Sequence, residues 1–343
     1  MRRGPWRRLA SVPMGGIPSS EGSGFAELES YRRELTGYCY RMLGSPVDAE
    51  DAVQDTLIRA WRAYPRFEDR SAQRGGLRPW LYRIATNVCL DALKGRERRA
   101  LPVEFGPPAA GELVMGTPRP EATWVQPIPD TLLAGDPAVV VLRRETVRLA
   151  FIAALQHLTP RQRAVLILRD VLSWRASEVA RLLETSEDAV NGALKRARAA
   201  LTSAELDHAA PESVEVEHEL LERYLDAFGR YDVDALVALL HEQAIVTMPP
   251  FELWLQGVRD IREFLAGMRD EGGHDRLLSL RANGCPALAV YRPDGAGTPA
   301  PYAIMVLEIA GDRIAAIHAF LDTSLFSAFG LAPGDQFSPP AQL

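Results

Sequence analysis

Within residues 158–201, LTPRQRAVLILRDVLSWRASEVARLLETSEDAVNGALKRARAAL, four polar side chains recur at steps of four, four and three: Glu187, Asn191, Lys195 and Arg198. That spacing places them on one face of a helix, basic toward its far end. An Asn can bond an adenine edge, and an Arg or Lys a guanine edge or a phosphate, so the face carries the chemistry of duplex DNA readout. Ser186 just before it and Arg196 beside it complete the set.

The elements that must position this face are also legible. Its opposite side is apolar, with Val190, Ala193, Leu194, Ala197 and Leu201 at helical spacing. Two amphipathic helices precede it, one with Val165, Leu168, Val171 and Leu172 inward and one with Ala176, Val179, Ala180 and Leu183 inward, followed by the turn Glu184-Thr185-Ser186. Two helices joined by a tight turn, the later one polar and basic outside, form the arrangement of a helix-turn-helix whose second helix enters the major groove. For this stretch by itself a helical hairpin with merely solvated charges is the competing reading.

A second cluster mixes aromatics with cations. In RPWLYRIATNVCLDALKGRERR (78–99), Pro79 sits at a helix start and Leu81, Ile84, Ala85, Val88 and Ala92 point inward. Trp80, Tyr82, Arg83 and Asn87, then Lys94, Arg96, Arg98 and Arg99, follow a polar loop containing Phe67, Arg70, Arg74 and Gly75-Gly76. Exposed rings beside cations suit single-stranded nucleic acid, because any base can stack on them; a core role for Trp80 fits the periodicity equally well. Upstream, Phe25–Met42 reads as a helix ended by Gly44-Ser45-Pro46. Asp48 then caps AEDAVQDTLIRAWRAY, which buries Val53, Leu57, Ala60, Trp61 and Tyr64 and presents Glu50, Asp51, Gln54 and Asp55, acids that also suit the start of a helix dipole.

Composition bounds the function. The 343 residues, 47% hydrophobic and 24% charged, suit two or three globular domains. No apolar run is long enough for a spanning helix, and the start MRRGPWRRLASVPMGGIPSS is too interrupted by Pro and Gly for a signal core, so 1–24 reads as a basic disordered tail with Met14 an alternative beginning. Cys39, Cys89 and Cys285 are widely spaced, which indicates no zinc site, no disulfide framework and no cofactor, and suits a reduced cytoplasm. The net charge of −6 divides unevenly: residues 1–204 carry 30 Lys and Arg against 23 Asp and Glu, a net of +7, and residues 205–343 carry 9 against 22, a net of −13. A nucleic-acid contact therefore belongs to the front of the chain.

The pairing of DAEDAVQDTLIRAWRAY (48–64) with RPWLYRIATNVCLDAL (78–93), followed by LTPRQRAVLILRDVL and a helix-turn-helix, resembles the extracytoplasmic-function group of bacterial sigma factors, over about 25–99 and 144–204. The resemblance implies that the helix 48–64 docks through Glu50, Asp51, Gln54 and Asp55 on the clamp coiled coil of the largest subunit of core RNA polymerase. It implies that Trp80, Tyr82, Arg83 and Asn87 capture the minus-ten strand, where a flipped base needs a pocket, and that Lys94, Arg96, Arg98 and Arg99 hold phosphates. The recognition helix would read the minus-35 duplex. One departure stands out: where the family usually has Gly at the end of the second helix, this chain has Glu184, a residue that tolerates a left-handed backbone at a cost of about 1 kcal/mol.

Eight prolines between Ala100 and Val141 make residues 100–143 an extended linker, although WVQPIPD (124–130) is apolar enough to dock on something. After a second linker at 205–217, the chain reads as two helices (217–228 and 233–240), a strand at AIVTMPP, a loop leading into a helix at 258–268, and strands at LLSLRANG, PALAVYRP and a final hairpin turning at Gly311-Asp312. This suggests an α+β cone with a curved antiparallel sheet over 218–330, ahead of a tail at 331–343. RYLDAFGRYDVDALVALL, MPPFELWLQG and RIAAIHAFLD resemble SnoaL-like members of the nuclear-transport-factor-like superfamily, some of which are cyclases or isomerases. The expected architecture is thus multidomain, two all-α sigma domains (a helical bundle and a helix-turn-helix) plus the cone, and the expected role is a sigma factor regulated by that cone. The competing reading makes the cone an enzyme. Its candidate pocket residues are Tyr224, Met248, Trp254, Tyr302, His318 and Asp322, around a small apolar ligand; alternation sets His318 with Ile314, Ala316 and Phe320.

Overall fold

The computed structural model describes residues 19–68, 76–109, 115–134, 144–202, 214–267 and 275–331. The basic tail with Met14, the loop cations Arg70 and Arg74, and the last segment beyond 331 lie outside the described residues.

The first helical unit holds α1 (Ser19–Glu29), α2 (Arg32–Leu43), α3 (Pro46–Glu68) and α4 (Leu77–Ala92). The single helix expected over Phe25–Met42 is broken at Ser30-Tyr31, where the Ser30 hydroxyl donates back to the Glu27 carbonyl at 2.7 Å and competes with the helical ladder. Gly44, at φ 72°, closes α2 by donating its N–H to Tyr40 O. α3 begins earlier than expected: Pro46 occupies its first turn and the Ser45 hydroxyl accepts from Asp48 N at 3.3 Å, so Ser45 rather than Asp48 is the cap. α4 stops at Ala92 instead of running through Arg98, with Gly95 at φ 70° just beyond it.

The described residues of 100–134 form a strap in which the regular elements are two 3-10 turns and the short α5 (Asp130–Leu133). Ala100 pairs with Trp124, and Trp124 through Pro129 are all buried. The second helical unit contains α6 (Leu149–Gln156), α7 (Pro160–Leu166) running into a π-helical turn at Ile167–Val171, α8 (Ala176–Leu182) and α9 (Glu187–Thr202). Thr159 and Gln162 cap α7 reciprocally.

The cone follows: α10 (Val214–Gly229), α11 (Val233–Ala238), β1 (Leu240–Thr247), β2 (Trp254–Gln256), α12 (Val258–Gly267), β3 (Arg276–Ala282), β4 (Cys285–Pro293), β5 (Pro299–Ala310), β6 (Arg313–Phe320) and α13 (Leu325–Ala328). The sheet order is β2-β1-β6-β5-β4-β3. It is mixed rather than antiparallel throughout, because β1 pairs parallel to β6. The direction of β6 is set by the β3–β4–β5–β6 meander, and β2 takes the other edge of β1. Three residues leave β2 too short to show alternation, which is why it reads as loop in the sequence.

The two faces of this sheet serve different cores. Met305, Leu307 and Ile309 of β5 point into the cone, whereas Ile304 and Val306 point backward into one continuous core with the helical units. That back-face contact is fixed by the β3–β4 turn. Asn283 and Gly284 both have positive φ (55° and 73°), the signature of a type I′ hairpin. Asn283 is fully buried: its N–H donates to Ile128 O (3.0 Å), its Oδ1 accepts from Ile128 N (2.9 Å), and its Nδ2 donates to Tyr40 Oη (2.7 Å) and Val147 O (2.6 Å). One side chain thus joins the cone to α2, the strap and the start of the second helical unit. Asn283→Ala leaves the buried Ile128 N–H and Val147 O without their side-chain partner and takes from the Tyr40 hydroxyl its donor. It is expected to lower unfolding stability by about 2–4 kcal/mol, read as a shift in the urea midpoint; an unchanged midpoint would show that water replaces the network freely.

Candidate nucleic-acid interface and the junctions around it

On α9 the apolar face packs as the spacing requires, with Val190, Leu194 and Ala197 buried. Ser186 caps the helix by accepting from Ala189 N at 3.2 Å. Glu187, Asn191, Lys195 and Arg196 are exposed together on the outer surface. Arg198 shares that surface and is held by a two-pronged pair with Asp170 (2.8 and 2.6 Å). Glu184 has φ 52°, the left-handed backbone expected of a helix C′ position.

The aromatic cluster of α4 is placed differently from the stacking surface expected. Trp80 is buried against Phe67, ring centroids 4.5 Å apart and nearly parallel. Tyr82 is fully buried between Tyr38 and Trp174 and donates to Glu34 at 2.8 Å. Both rings lie on the inward side of α4, so burial of large apolar area decides their position. Arg83 and Asn87 are exposed, and Arg83 pairs with Glu184 of the second helical unit. The basic tail is engaged within the chain: Lys94 with Asp91, Arg96 with Asp48, and Arg98 with Glu104 and His157. Arg99, buried, pairs with Asp48 at 2.8 Å and donates to Glu121 O and Trp124 O. On α3, Asp51 and Gln54 are exposed, Asp55 pairs with Arg59 of the next turn, and Glu50 with Arg32.

The two helical units touch directly. Trp174 packs on Tyr82 at 5.0 Å, with the Arg78 guanidinium 5.5 Å from each ring. Arg41, fully buried, donates from Nε to Thr146 O at 3.1 Å. Arg163 of α7, also buried, donates to Met42 O in the last turn of α2 and to Gln156 Oε1 at 2.6 Å. The carbonyl end of α2 stabilises that cation through its dipole, while burial pulls the Arg163 pKa down to about 10, so it stays charged at neutral pH. The sequence reading missed Tyr40, Arg41, Arg163 and Asn283. Only the Asn-Gly pair between two strands offered a local signal, and that signal concerned a turn, not its partners.

In the cone, Tyr224, Met248 and Tyr302 line an apolar cavity of about 110 Å³, together with Arg292 and Tyr231. The other three expected pocket residues lie elsewhere. His318 is on the back face of the sheet with Ala316 and Phe320, its Nδ1 2.9 Å from Thr247 Oγ1 and its Nε2 3.6 Å from Glu308 Oε1. Trp254 sits at the rim, its indole N–H donating to Gly106 O, and Asp322 accepts from Ser324 N after β6. Alternation grouped His318 with Ile314, Ala316 and Phe320; Phe320 shares the back-face core, but Ile314 packs into the cone, because the irregularity where Glu308-Ile309 pair with Ala316 and Ile314 breaks the period.

Comparison with known proteins follows this division. The model of Sigma-70 region 2 matches residues 28–99, that of Sigma-70, region 4 matches 148–201, and that of the SnoaL-like domain matches 221–317. The chain is 48% identical over 342 residues to the ECF RNA polymerase sigma factor SigG of Mycobacterium tuberculosis, covering 95% of this chain and 90% of that protein. It is 30% identical over 223 residues to SigJ of the same organism, across 65% of this chain and 64% of SigJ. The crystal structure of SigJ superposes with a TM-score of 0.58 at 23% identity, over 88% of this chain and 98% of SigJ, a likeness of fold.

Glu184 offers a direct check of the junction. Glu184→Gly relieves the left-handed backbone but removes an exposed pair, two effects each of about 1 kcal/mol or less. The melting temperature is therefore expected to move by no more than a few degrees, whereas Glu184→Val, β-branched at a positive φ, is expected to lower it clearly. Equal melting of the two variants would contradict the observed backbone.

Proposed function

The chain belongs to the extracytoplasmic-function sigma factors and directs promoter-specific initiation by RNA polymerase, and on that premise we propose that its SnoaL-like cone regulates initiation in cis by holding the two DNA-binding regions against each other. The observation that carries this reading is the contact of α4 with the second helical unit, pinned from behind by Asn283. The minus-ten and minus-35 elements are about 25 base pairs apart, or about 85 Å of B-form duplex at 3.4 Å per step. Regions that touch cannot reach both elements, so closure and promoter engagement exclude each other.

Roles follow from exposure in the closed chain. Glu50, Asp51, Gln54 and Asp55 on α3 would dock on the clamp coiled coil of the polymerase while the chain is still closed. Ser186, Glu187, Asn191, Lys195 and Arg196 would read the minus-35 duplex, with Arg198 exchanging Asp170 for phosphate. Opening would free Arg83 from Glu184 and make the surface around Asn87 available to the minus-ten strand. Lys94, Arg96, Arg98 and Arg99 would reach phosphate only by leaving their present acids, and Trp80 and Tyr82 would shape that pocket from within unless they turn outward. The working divisions are 25–99 for region 2, 100–143 for the linker, 144–204 for region 4 and 218–330 for the cone, acting in the cytoplasm with the polymerase.

The cone is read as a regulator rather than an enzyme because the described residues lining its cavity include no carboxylate and no imidazole. Without a group that exchanges protons near neutral pH, general acid–base catalysis has no agent there.

Tyr40→Phe tests closure with little change of shape. It removes the hydroxyl that donates to Gln126 O at 2.8 Å and accepts from Asn283. Leaving those buried partners unmet costs about 1–3 kcal/mol and shifts the open fraction by about tenfold or more. With core polymerase on a promoter library, Tyr40→Phe is expected to give severalfold more transcript than the parent chain, and Asn191→Ala to lose it on the same templates. Unchanged transcription by Tyr40→Phe, with unchanged small-angle scattering, would refute regulation by closure; failure of the parent chain to bind core polymerase at low salt would remove the roles assigned to α3.

A further inference from the structure

One wall of the cone cavity belongs to the linker between the two DNA-binding regions. Met115 lines the cavity beside Phe228 and Leu321. On either side of it the strap is fastened to the rim: Ala109 N–H donates to Trp254 O (2.8 Å), Trp254 Nε1–H to Gly106 O (3.0 Å) and Arg119 N–H to Pro250 O (2.8 Å). Arg119 also pairs with Glu252 and lies over the Phe105 ring at 4.6 Å. The same strap, a few residues on, supplies Gln126 and Ile128 to the buried junction with Tyr40 and Asn283. The cover of the cavity and the clasp of the closed chain are therefore one segment.

The polar groups at the cavity are few and mostly committed. Arg292 is held by Asp275 (3.2 Å) and lies 3.7 Å from the Tyr302 ring centroid, and Tyr231 donates to Leu265 O. Tyr224 is buried and its hydroxyl has no hydrogen-bond partner among the described residues; burial also keeps it protonated. A volume of about 110 Å³ is of the order of the roughly 150 Å³ apolar cavity that admits benzene.

We propose that this cavity is a receptor site for a small, mainly apolar molecule bearing one hydrogen-bonding oxygen, of the size of a phenol, and that the occupant, packed beneath Met115 and bonded to Tyr224, holds the strap down and the sigma regions closed. The proposal rests on the reading of closure given above. A ligand that binds only the covered state favours it by the factor 1 + [L]/Kd, and by reciprocity polymerase binding, which opens the chain, weakens the ligand.

The probe is 4-fluorophenol, followed by fluorine NMR on the full chain. Binding is expected in the parent. Tyr224→Phe, which keeps the shape, is expected to weaken 4-fluorophenol while leaving fluorobenzene unchanged; Ala303→Phe, which fills the cavity, is expected to abolish both. Absence of binding, or binding insensitive to both variants, overturns the site. For the coupling, 4-fluorophenol at ten times its Kd is expected to slow amide hydrogen exchange of Ala109 and Arg119 about tenfold and to reduce polymerase-dependent transcript by a similar factor. Unchanged exchange at both amides overturns the cover. That readout needs no polymerase, so it stands apart from a failure of the sigma reading, which would appear as absent transcription without any probe.

Discussion

The arrangement depends on one buried amide. Asn283 sits where three segments distant in sequence converge, and each of its polar atoms is spent on a buried backbone group or on the Tyr40 hydroxyl. A buried polar group without a partner costs more than an average hydrogen bond contributes, so the network is either complete or strongly unfavourable. That gives the closed state its register: strap, α2 and the start of the second helical unit meet the cone at one fixed point. The cations nearby obey the same rule. Arg41 and Arg163 are buried chiefly against carbonyl oxygens, an arrangement that stabilises charge through oriented dipoles and leaves those cations free to be solvated when the regions part.

The cone contributes through the two sides of a single sheet. Because side chains alternate along a strand, Met305 and Ile304, one residue apart, belong to different cores. The front face encloses the cavity and the back face carries the junction. A change in how the cavity is filled need not travel far to be felt by the DNA-binding regions, since the strap crosses the rim of the one and the edge of the other. His318 belongs to the back face, hydrogen-bonded to Thr247 on β1 and near Glu308 on β5, so its polar contacts tie three neighbouring strands together.

How much was legible in the sequence followed the range of the interactions concerned. The helix α9 was readable because its two faces and the left-handed Glu184 before it are set by neighbours within a turn or two. The order of the three units was readable because two motifs recur at a separation chance does not favour. Trp80 and Tyr82 were ambiguous for a physical reason: an aromatic ring with a polar edge suits both a base-stacking surface and a core, and only Phe67, Tyr38 and Trp174, brought in by tertiary packing, decide between them. The parallel pairing of β1 with β6, the side of the sheet on which His318 lies, and the partners of Asn283 are properties of long-range closure that no local period encodes. Cys39 and Cys89 belong to the same class: fifty residues apart, they meet in the core between α2 and α4, where their mutual hydrogen bond and burial raise the Cys39 thiol.

Closure that is meant to be reversed must be specific without being strong. The contacts between the helical units divide accordingly. Exposed pairs such as Arg83 with Glu184 contribute at most about 1 kcal/mol each and are screened by salt. The left-handed backbone of Glu184 offsets much of even that, so the carboxylate places a charge against Arg83, the cation proposed to meet the minus-ten strand, more than it adds stability. On the proposed opening, the buried junction would supply direction rather than bulk strength, since its groups would then be exchanged for water or polymerase contacts. In the proposed mechanism the acidic face of α3, exposed in the closed chain, would let polymerase bind first and draw on that binding for opening, which a deeply buried docking face could not do.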